Sequence, residues 1–362
     1  MESVVVDQAF WRGKRVLLTG HTGFKGSWLS LWFAKMGATV IGLANSIPTP
    51  GLFSAAKIAS CVKHVEGDIR QLDVIKQLLL DERPEIVLHM AAQSLVRYSY
   101  SNPEETYQTN VMGTLNVLEA IRSTDCVRSC VVVTTDKCYE NKEWPWPYRE
   151  SEAMGGYDPY SSSKACAELL TASYRQSFFN NDHYAQHGTA VATARAGNVI
   201  GGGDWALDRL VPDIIHAFSE GRELVLRNPA AVRPWQFVLE PLAGYLILAQ
   251  QLYQQGPAFA EAWNFGPDET GFYSVQEIVR DIARLWGPEA IWSVDDSAQP
   301  HEAKLLKLDS RKARQKLGWR PHLNTAQTLE YIVSWYKEVA VGADAQQLCL
   351  EQIDGFERIA LQ

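Results

Sequence analysis

No apolar run in the chain approaches the ~20 residues that a membrane-crossing helix needs, which argues against a helical span. The opening stretch, MESVVVDQAFWRGKR, carries acids where a secretory signal has basic residues, and it has no long apolar core. Cysteine is sparse. Cys61, Cys126, Cys130, Cys138, Cys166 and Cys349 form no CxxC pair, so no metal site is expected and the thiols read as reduced. Cys126 and Cys130 flank a strand start and read as small core residues. An excess of basic charge is also missing. Against 34 Lys+Arg stand 42 Asp+Glu, a formal charge of −8, which speaks against non-specific nucleic-acid or anionic-membrane binding. There is no internal repeat and no low-complexity tract. The expectation is a cytoplasmic protein with neither nucleic acid nor membrane as partner.

What the chain does contain is an ordinary globular composition, 46% apolar and 21% charged, over 362 residues. That length buries a full core without disulfide or metal staples. Short apolar runs fall at residues 15–19 (RVLLT), 39–43 (TVIGL), 62–66, 86–90 (IVLHM), 129–134 (SCVVVT) and 189–195. Helical patterns separate them at residues 26–36, 72–81, 103–123 and 159–177. This alternation predicts βαβ units and a parallel sheet buried on both faces. Residues 141–152 read as a loop, and Asp158-Pro159 as a helix cap with proline in the first turn. Beyond Asn198 the pattern is less regular: a loop at 201–205, a helix at 210–219, a short strand at 223–226, and a tail from Trp263 of short helices and loops. The predicted class is α/β. A Rossmann-type doubly wound parallel sheet (residues 1–198) would be joined by a smaller C-terminal α/β substrate-binding lobe (199–362), with the chain free to cross between them. Ligands would bind where that lobe covers the strand ends.

Three motifs carry chemistry. Gly20-His21-Thr22-Gly23-Phe24-Lys25-Gly26 follows the first strand and opens a helix. Glycines at this spacing let the backbone turn and approach a dinucleotide pyrophosphate, with Thr22 and Phe24 beside it. Asp68, followed by Ile69, stands after the third strand, where its carboxylate can accept from an adenine amino group. The second strand ends in Ala44-Asn45-Ser46, with neither an acid for a ribose diol nor an arginine for a 2′-phosphate, so NAD and NADP stay open. The second motif is Tyr160-Ser161-Ser162-Ser163-Lys164. Tyrosine and lysine four apart share a helix face, where an ammonium can favour a phenolate that takes an alcohol proton as hydride leaves the carbon. The third, Thr134-Thr135-Asp136-Lys137-Cys138-Tyr139, places polar groups abruptly after a buried strand. Asp136 and Lys137 offer an acid and a base side by side, and Cys138 reads as packing.

Together these motifs resemble the extended short-chain dehydrogenase/reductase superfamily over nearly the whole chain. TTDKCYEN, YRESEAMGGYDPYSSSKACAEL, RAGNVIGGGDWALDRLVPDII and RPWQFVLEPLAGYL are similar, within it, to the nucleotide-sugar 4,6-dehydratases that act on CDP-glucose. Relatives acting on dTDP-glucose carry Asp-Glu in place of Asp136-Lys137. The resemblance implies NAD as coenzyme and CDP-4-dehydro-6-deoxyglucose as product, a step in deoxysugar synthesis of the lipopolysaccharide O-antigen type. It implies that Tyr160 takes the 4-hydroxyl proton, Thr135 contacts the 4-oxygen, Lys137 removes the C5 proton from a pocket that holds it neutral, and Asp136 protonates the departing 6-hydroxyl. Lys164 holds the coenzyme ribose. Ala91 and Ala92 would line the nicotinamide side with Gln93. Gln93, Arg97, Asn198, Arg209, Arg233 and His301 would meet the nucleotide sugar, with arginine gripping diphosphate. Asn110 would bridge to the catalytic helix through water. Phe237 stands where relatives carry histidine, which puts a polar role there in doubt. A homodimer or homotetramer is implied, paired through the helices at 103–123 and 159–177.

Two other readings share parts of this pattern. A nucleotide-sugar 4-epimerase, or a dehydratase of another nucleotide hexose, needs the glycine loop, Tyr160 and Lys164. Only the dehydratase needs Asp136-Lys137. A cofactor-binding regulator without turnover would be expected to lack Tyr160 or Lys164, and both are present.

Overall fold

The computed structural model describes residues 5–226, 228–268, 271–295 and 305–361. Seven strands form one fully parallel sheet: β1 (Arg15–Thr19), β2 (Thr39–Ala44), β3 (Lys63–Glu66), β4 (Ile86–His89), β5 (Ser129–Val133), β6 (Ala190–Ala196) and, late in the chain, β10 (Ala262–Phe265). Their order is β10-β6-β5-β4-β1-β2-β3, so the direction of winding reverses between β1 and β4. The strands are short continuous apolar runs because both faces are covered. Along β1, Val16 and Leu18 enter one hydrophobic core while Leu17 enters the other. On β5, Val131 and Val133 face the first core, and Cys130 and Val132 the second.

The smaller lobe holds two minor sheets. β7 (Asn198–Ile200) pairs in parallel with β9 (Val232–Phe237), which pairs antiparallel with β11 (Phe272–Ser274). β8 (Leu224–Leu226) pairs in parallel with β12 (Trp292–Val294). β7 begins two residues after β6 ends, and Arg209 reaches Ser94 in the loop after β4, which brings these segments to the C-terminal ends of β4 and β6.

Three elements differ from the sequence expectation. The tail from Trp263 is not only short helices and loops: Trp263 lies on β10, the seventh strand of the main sheet, and the Thr325–Ala340 and Ala345–Ala360 helices follow. The Leu239–Gln255 helix has almost no polar face, because it is buried between the sheet and the C-terminal helices. An all-round apolar helix shows no periodic stripe. The single helix read at 103–123 is Pro103–Tyr107 and Gly113–Arg122 joined by one π-helical turn, Gln108–Met112. That turn carries Asn110, which bonds partners outside its own helix, as π-turns at functional sites do.

The Leu239–Gln255 helix also carries a buried acid. Glu240 Oε1 accepts from the backbone N–H groups of His322 and Leu323 at 2.8 and 2.7 Å. Burial pushes its carboxyl from the ordinary 4.5 up to about 8, outweighing those two donors. An acid raised on folding holds its proton more tightly folded than unfolded. Stability is therefore full below the unfolded value and declines as pH climbs from 4.5 to about 8. Glu240→Gln is expected to abolish that decline, so its unfolding midpoint rises relative to the parent's between about pH 5 and about pH 8. Parallel pH dependence of the two midpoints in calorimetry would contradict it.

Candidate active site

The glycine loop is shaped by close approaches. Gly20 has φ +74°, and a Cβ there would stand 2.7 Å from the backbone N of Ala91 at the end of β4. A Cβ on Gly26 would stand 2.2 Å from Gly20 O, so only glycine lets the Phe24–Lys35 helix pack on the turn. Gly23 caps that helix without a side chain, and a Cβ there would meet nothing closer than 3.5 Å. The N–H groups of the first turn therefore have no capping side chain, and the residues present fit a dinucleotide pyrophosphate. Thr22 Oγ1 donates to Ser46 O at 2.8 Å, which ties the loop to the end of β2. Thr19 Oγ1 accepts from Met90 N and Ala91 N, both at 3.1 Å, and is bonded to His89 Nδ1 at 2.8 Å. Ala91, and Ala92 after it, are thereby held beside Gly20 at the switch point. After β3, Asp68 is bonded by Arg70 through Nε, Nη2 and backbone N, and Arg70 holds its carboxyl below the ordinary range. Asn45 also bonds Asp68. Ile69 is buried and packs under Gly113.

Tyr160 and Lys164 are buried on the Pro159–Ser177 helix, whose cap is Asp158, accepting from Ser161 N at 2.9 Å. Thr135, Asp136 and Lys137 follow β5, with Asp136–Cys138 forming one 3-10 turn. The Thr135 hydroxyl donates to Asp136 Oδ1 at 3.0 Å and stands near enough to Tyr160 to act on its phenol. Lys137 Nζ lies 3.5 Å from the same Oδ1. Thr135, the carboxylate and the ammonium thus form one polar cluster beside the phenol. Asp136 is fully buried, and its Oδ2 has no hydrogen-bond partner among the described residues. Burial pushes the Tyr160 phenol up to about 12, while Thr135 and Arg209 act to lower it. Lys164 is lowered to about 8 by burial and donates to Val133 O at 3.2 Å. The Cys138 thiol is buried and pushed well above its usual range, as a packing residue should be.

Two sequence expectations change in detail here. The phenol's favourable neighbours are Thr135 and Arg209, whereas Lys164 was expected to be the principal one. Lys137 stands beside a carboxylate, with 29% of its side chain exposed, so the dry, cation-flanked pocket expected to hold it neutral is not there.

The substrate-side candidates divide into two on the paired strands β7 and β9 and others bonded within the loops around them. Arg233 and Asn198 lie on the neighbouring strands β9 and β7. Arg233 is buried, and Asn198 Oδ1 is a buried acceptor with no hydrogen-bond partner among the described residues. Arg209 bonds Asp204 at 2.9 Å and Ser94 Oγ at 2.8 Å, and Arg97 pairs with Asp208 at 3.3 Å, so both bridge the loop after β4 and the segment before the Leu210–Ser219 helix. Gln93 turns its amide back into its own loop, onto Leu95 and Thr106. Asn110 bridges Gln93 O and Ser163 Oγ directly, each at 2.9 Å, so no water is needed to reach the catalytic helix. His301 lies outside the described residues. Phe237 is fully buried, stacked on Tyr331 at 5.4 Å and edge-on to Trp28, and therefore serves the core.

Sequence reasoning missed several neighbours. Arg70 comes to the Asp68 carboxylate, for which the Asp-x-Arg spacing after β3 was the available signal. Lys25 turns from the glycine loop towards Tyr245 Oη, 3.5 Å away, and burial, then Lys164 and Arg209, lower it to about 7. Glu168 and Arg195 form a buried ion pair at 2.7 Å under the catalytic turn.

Residues 17–332 match the GDP-mannose 4,6 dehydratase family. The chain is 52% identical over 341 residues to the CDP-glucose 4,6-dehydratase of Salmonella typhimurium, covering 94% of this chain and 95% of that one. An epimerase from Methanothermobacter thermautotrophicus superposes with a TM-score of 0.79 at 25% identity, over 93% of this chain and 96% of that one. A dTDP-glucose 4,6-dehydratase from Bacillus anthracis, solved in complex with NAD, superposes with a TM-score of 0.73 at 20% identity, over 91% and 98%. With the parallel sheet, the glycine cradle and the Tyr160/Lys164 pair in place, the chain belongs to the GDP-mannose 4,6 dehydratase family.

Proposed function

We propose that this chain converts CDP-glucose to CDP-4-dehydro-6-deoxyglucose and water. The observation that carries this reading is the polar cluster after β5, in which Thr135 Oγ1 donates to Asp136 Oδ1 and Lys137 Nζ stands 3.5 Å from the same oxygen, beside the buried Tyr160 phenol. The cytidine nucleotide follows from the 52% identity to the Salmonella enzyme. NAD, held by Gly20, Thr22, Gly23, Phe24, Gly26, Asp68, Ile69, Ala91 and Ala92, supplies a hydride acceptor that ends each turnover as it began. Tyr160 takes the 4-hydroxyl proton while Thr135 holds the 4-oxygen, and Lys164 keeps a cation beside the ribose.

A ketone at C4 acidifies the neighbouring C5–H. Lys137 removes that proton, and Asp136 delivers one to the leaving 6-hydroxyl. Passage of one proton across the 3.5 Å contact gives both groups their working forms at once, a neutral amine and a protonated acid. Lys137 later returns its proton to C5. Asn198, Arg209 and Arg233 hold the diphosphate, with Gln93, Arg97 and His301 nearer the sugar.

Exposed Met112 and Leu169, on the two helices expected at a two-fold, support a dimer or a dimer of dimers. No helix among the described residues is long and apolar enough to cross a membrane. The six unpaired cysteines fit a reducing, cytoplasmic setting. The test is incubation with CDP-, dTDP-, UDP- and GDP-hexoses followed by mass spectrometry. The expected result is loss of one water from CDP-glucose above the others. Unchanged mass with an inverted C4 would establish an epimerase.

A further inference from the structure

The segment that carries Thr135, Asp136 and Lys137 is anchored on both sides by one buried ion pair that touches none of the three. On the near side, Glu168 accepts from Thr134 Oγ1 at 2.5 Å, from Thr193 Oγ1 at 2.7 Å and from Arg195 Nη2 at 2.7 Å. On the far side, Arg195 Nη1 donates to Tyr139 Oη at 2.7 Å and to Glu150 O at 3.1 Å. Tyr139 Oη in turn donates to Asn264 Oδ1 on β10 at 2.7 Å. Thr134 immediately precedes the segment, and Tyr139 follows it by one residue. Lys164 and Glu168 stand four apart on one helix face, and they grip the consecutive residues Val133 and Thr134 of the chain leaving β5.

We propose that Glu168 and Arg195 are positioning residues that hold the 135–137 segment in register with Tyr160 and keep Lys164 in its ammonium form. The proposal rests on the function given above only for the substrate used in its kinetic arm. A buried ion pair contributes little net stability compared with an apolar pair of the same volume, so its use here is geometric. Each partner has one hydrogen bond with chain that flanks the turn, Glu168 accepting from Thr134 Oγ1 and Arg195 donating to Tyr139 Oη. Burial raises the Glu168 carboxyl, but Arg195 and the two threonine hydroxyls outweigh that and leave it lowered, hence charged.

The groups facing Lys164 are few. Glu168 and Tyr160 share its helix, Cys138 comes from the 3-10 turn, His89 from β4, Lys25 from the glycine-loop helix, and Val133 O from β5. His89 is held neutral near 3 by burial and Lys164, and the Cys138 thiol is protonated, so Glu168 is the anion among them.

The test uses the full-length protein. In Glu168→Gln/Arg195→Met, which removes both charges of the ion pair together, the ¹³Cε resonance of Lys164, assigned by its loss in Lys164→Met, is followed against pH. Its midpoint is expected to fall by about one pH unit, a tenfold loss of proton affinity. Thr134→Val and Tyr139→Phe each remove one hydroxyl link. In both, kcat on CDP-glucose is expected to fall by roughly tenfold to a hundredfold, with KM held within about twofold and unfolding midpoints within a few degrees. An unmoved Lys164 midpoint, or parental kcat in both single variants, overturns the proposal. Should the double variant not fold, the single variants decide alone. Should the parent fail to turn over CDP-glucose, the function is misread, and the Lys164 midpoint decides this proposal by itself.

Discussion

Tyr160→Phe is expected to lower turnover by about a thousandfold, the scale of a lost general base, while the coenzyme still binds. The phenol shares a helix face with Lys164 and stands beside the cluster of Thr135, Asp136 and Lys137. In the free protein burial pushes it up to about 12, so it waits as a neutral phenol. It can act once a cationic ring and a substrate hydroxyl reach it. Phenylalanine preserves the packing of a side chain that is 8% exposed, so cofactor affinity and unfolding midpoint should change little. Stopped-flow absorbance at 340 nm would show no reduction phase. A variant with near-parental turnover would remove Tyr160 from the chemistry.

Lys137→Met is expected to separate oxidation from elimination. Thr135 and Tyr160 remain, so 340 nm absorbance should still rise on adding substrate, to no more than one equivalent per site. Water loss should fall by about a hundredfold to ten-thousandfold, because no positioned base is left for C5. Met keeps the length of the lysine stem and removes the ammonium 3.5 Å from Asp136. Full dehydration by this variant would give the C5 proton to another group, and Asp136, with an unpartnered buried Oδ2, is the one in place. If both variants behave as expected, Tyr160 belongs to the redox steps and Lys137 to the proton steps.

Much of this site could be read before the fold was known, for local reasons. Gly20, Gly23 and Gly26 announce themselves because a Cβ at the first and third would collide with backbone. Tyr160 and Lys164 meet because four residues make about one helical turn. The parallel strands are legible as short apolar runs between helices. What stayed hidden depends on partners distant in sequence. Glu168 and Arg195 are 27 residues apart, on a helix and a strand, and neither carries a local sign of pairing. The π-turn at Asn110 is set by bonds to Gln93 and Ser163. The first three turns of the Leu239–Gln255 helix are buried all round, and β10 is nearly so, and both lose the periodicity that separates one element from the next. Phe237 was an anomaly in a motif until its ring was found between Trp28 and Tyr331.

The chemistry requires that hydrogen removed from C4 return to C6 of the same sugar. The direct measurement is a crossover experiment with equal amounts of [4-²H]CDP-glucose and a fully ¹³C-labelled, protium-bearing substrate. The expected products are ²H at C6 of the ¹²C hexose and no ²H on the ¹³C hexose. Deuterium appearing in the ¹³C product, or lost to water, would contradict a relay confined to one substrate and one bound coenzyme.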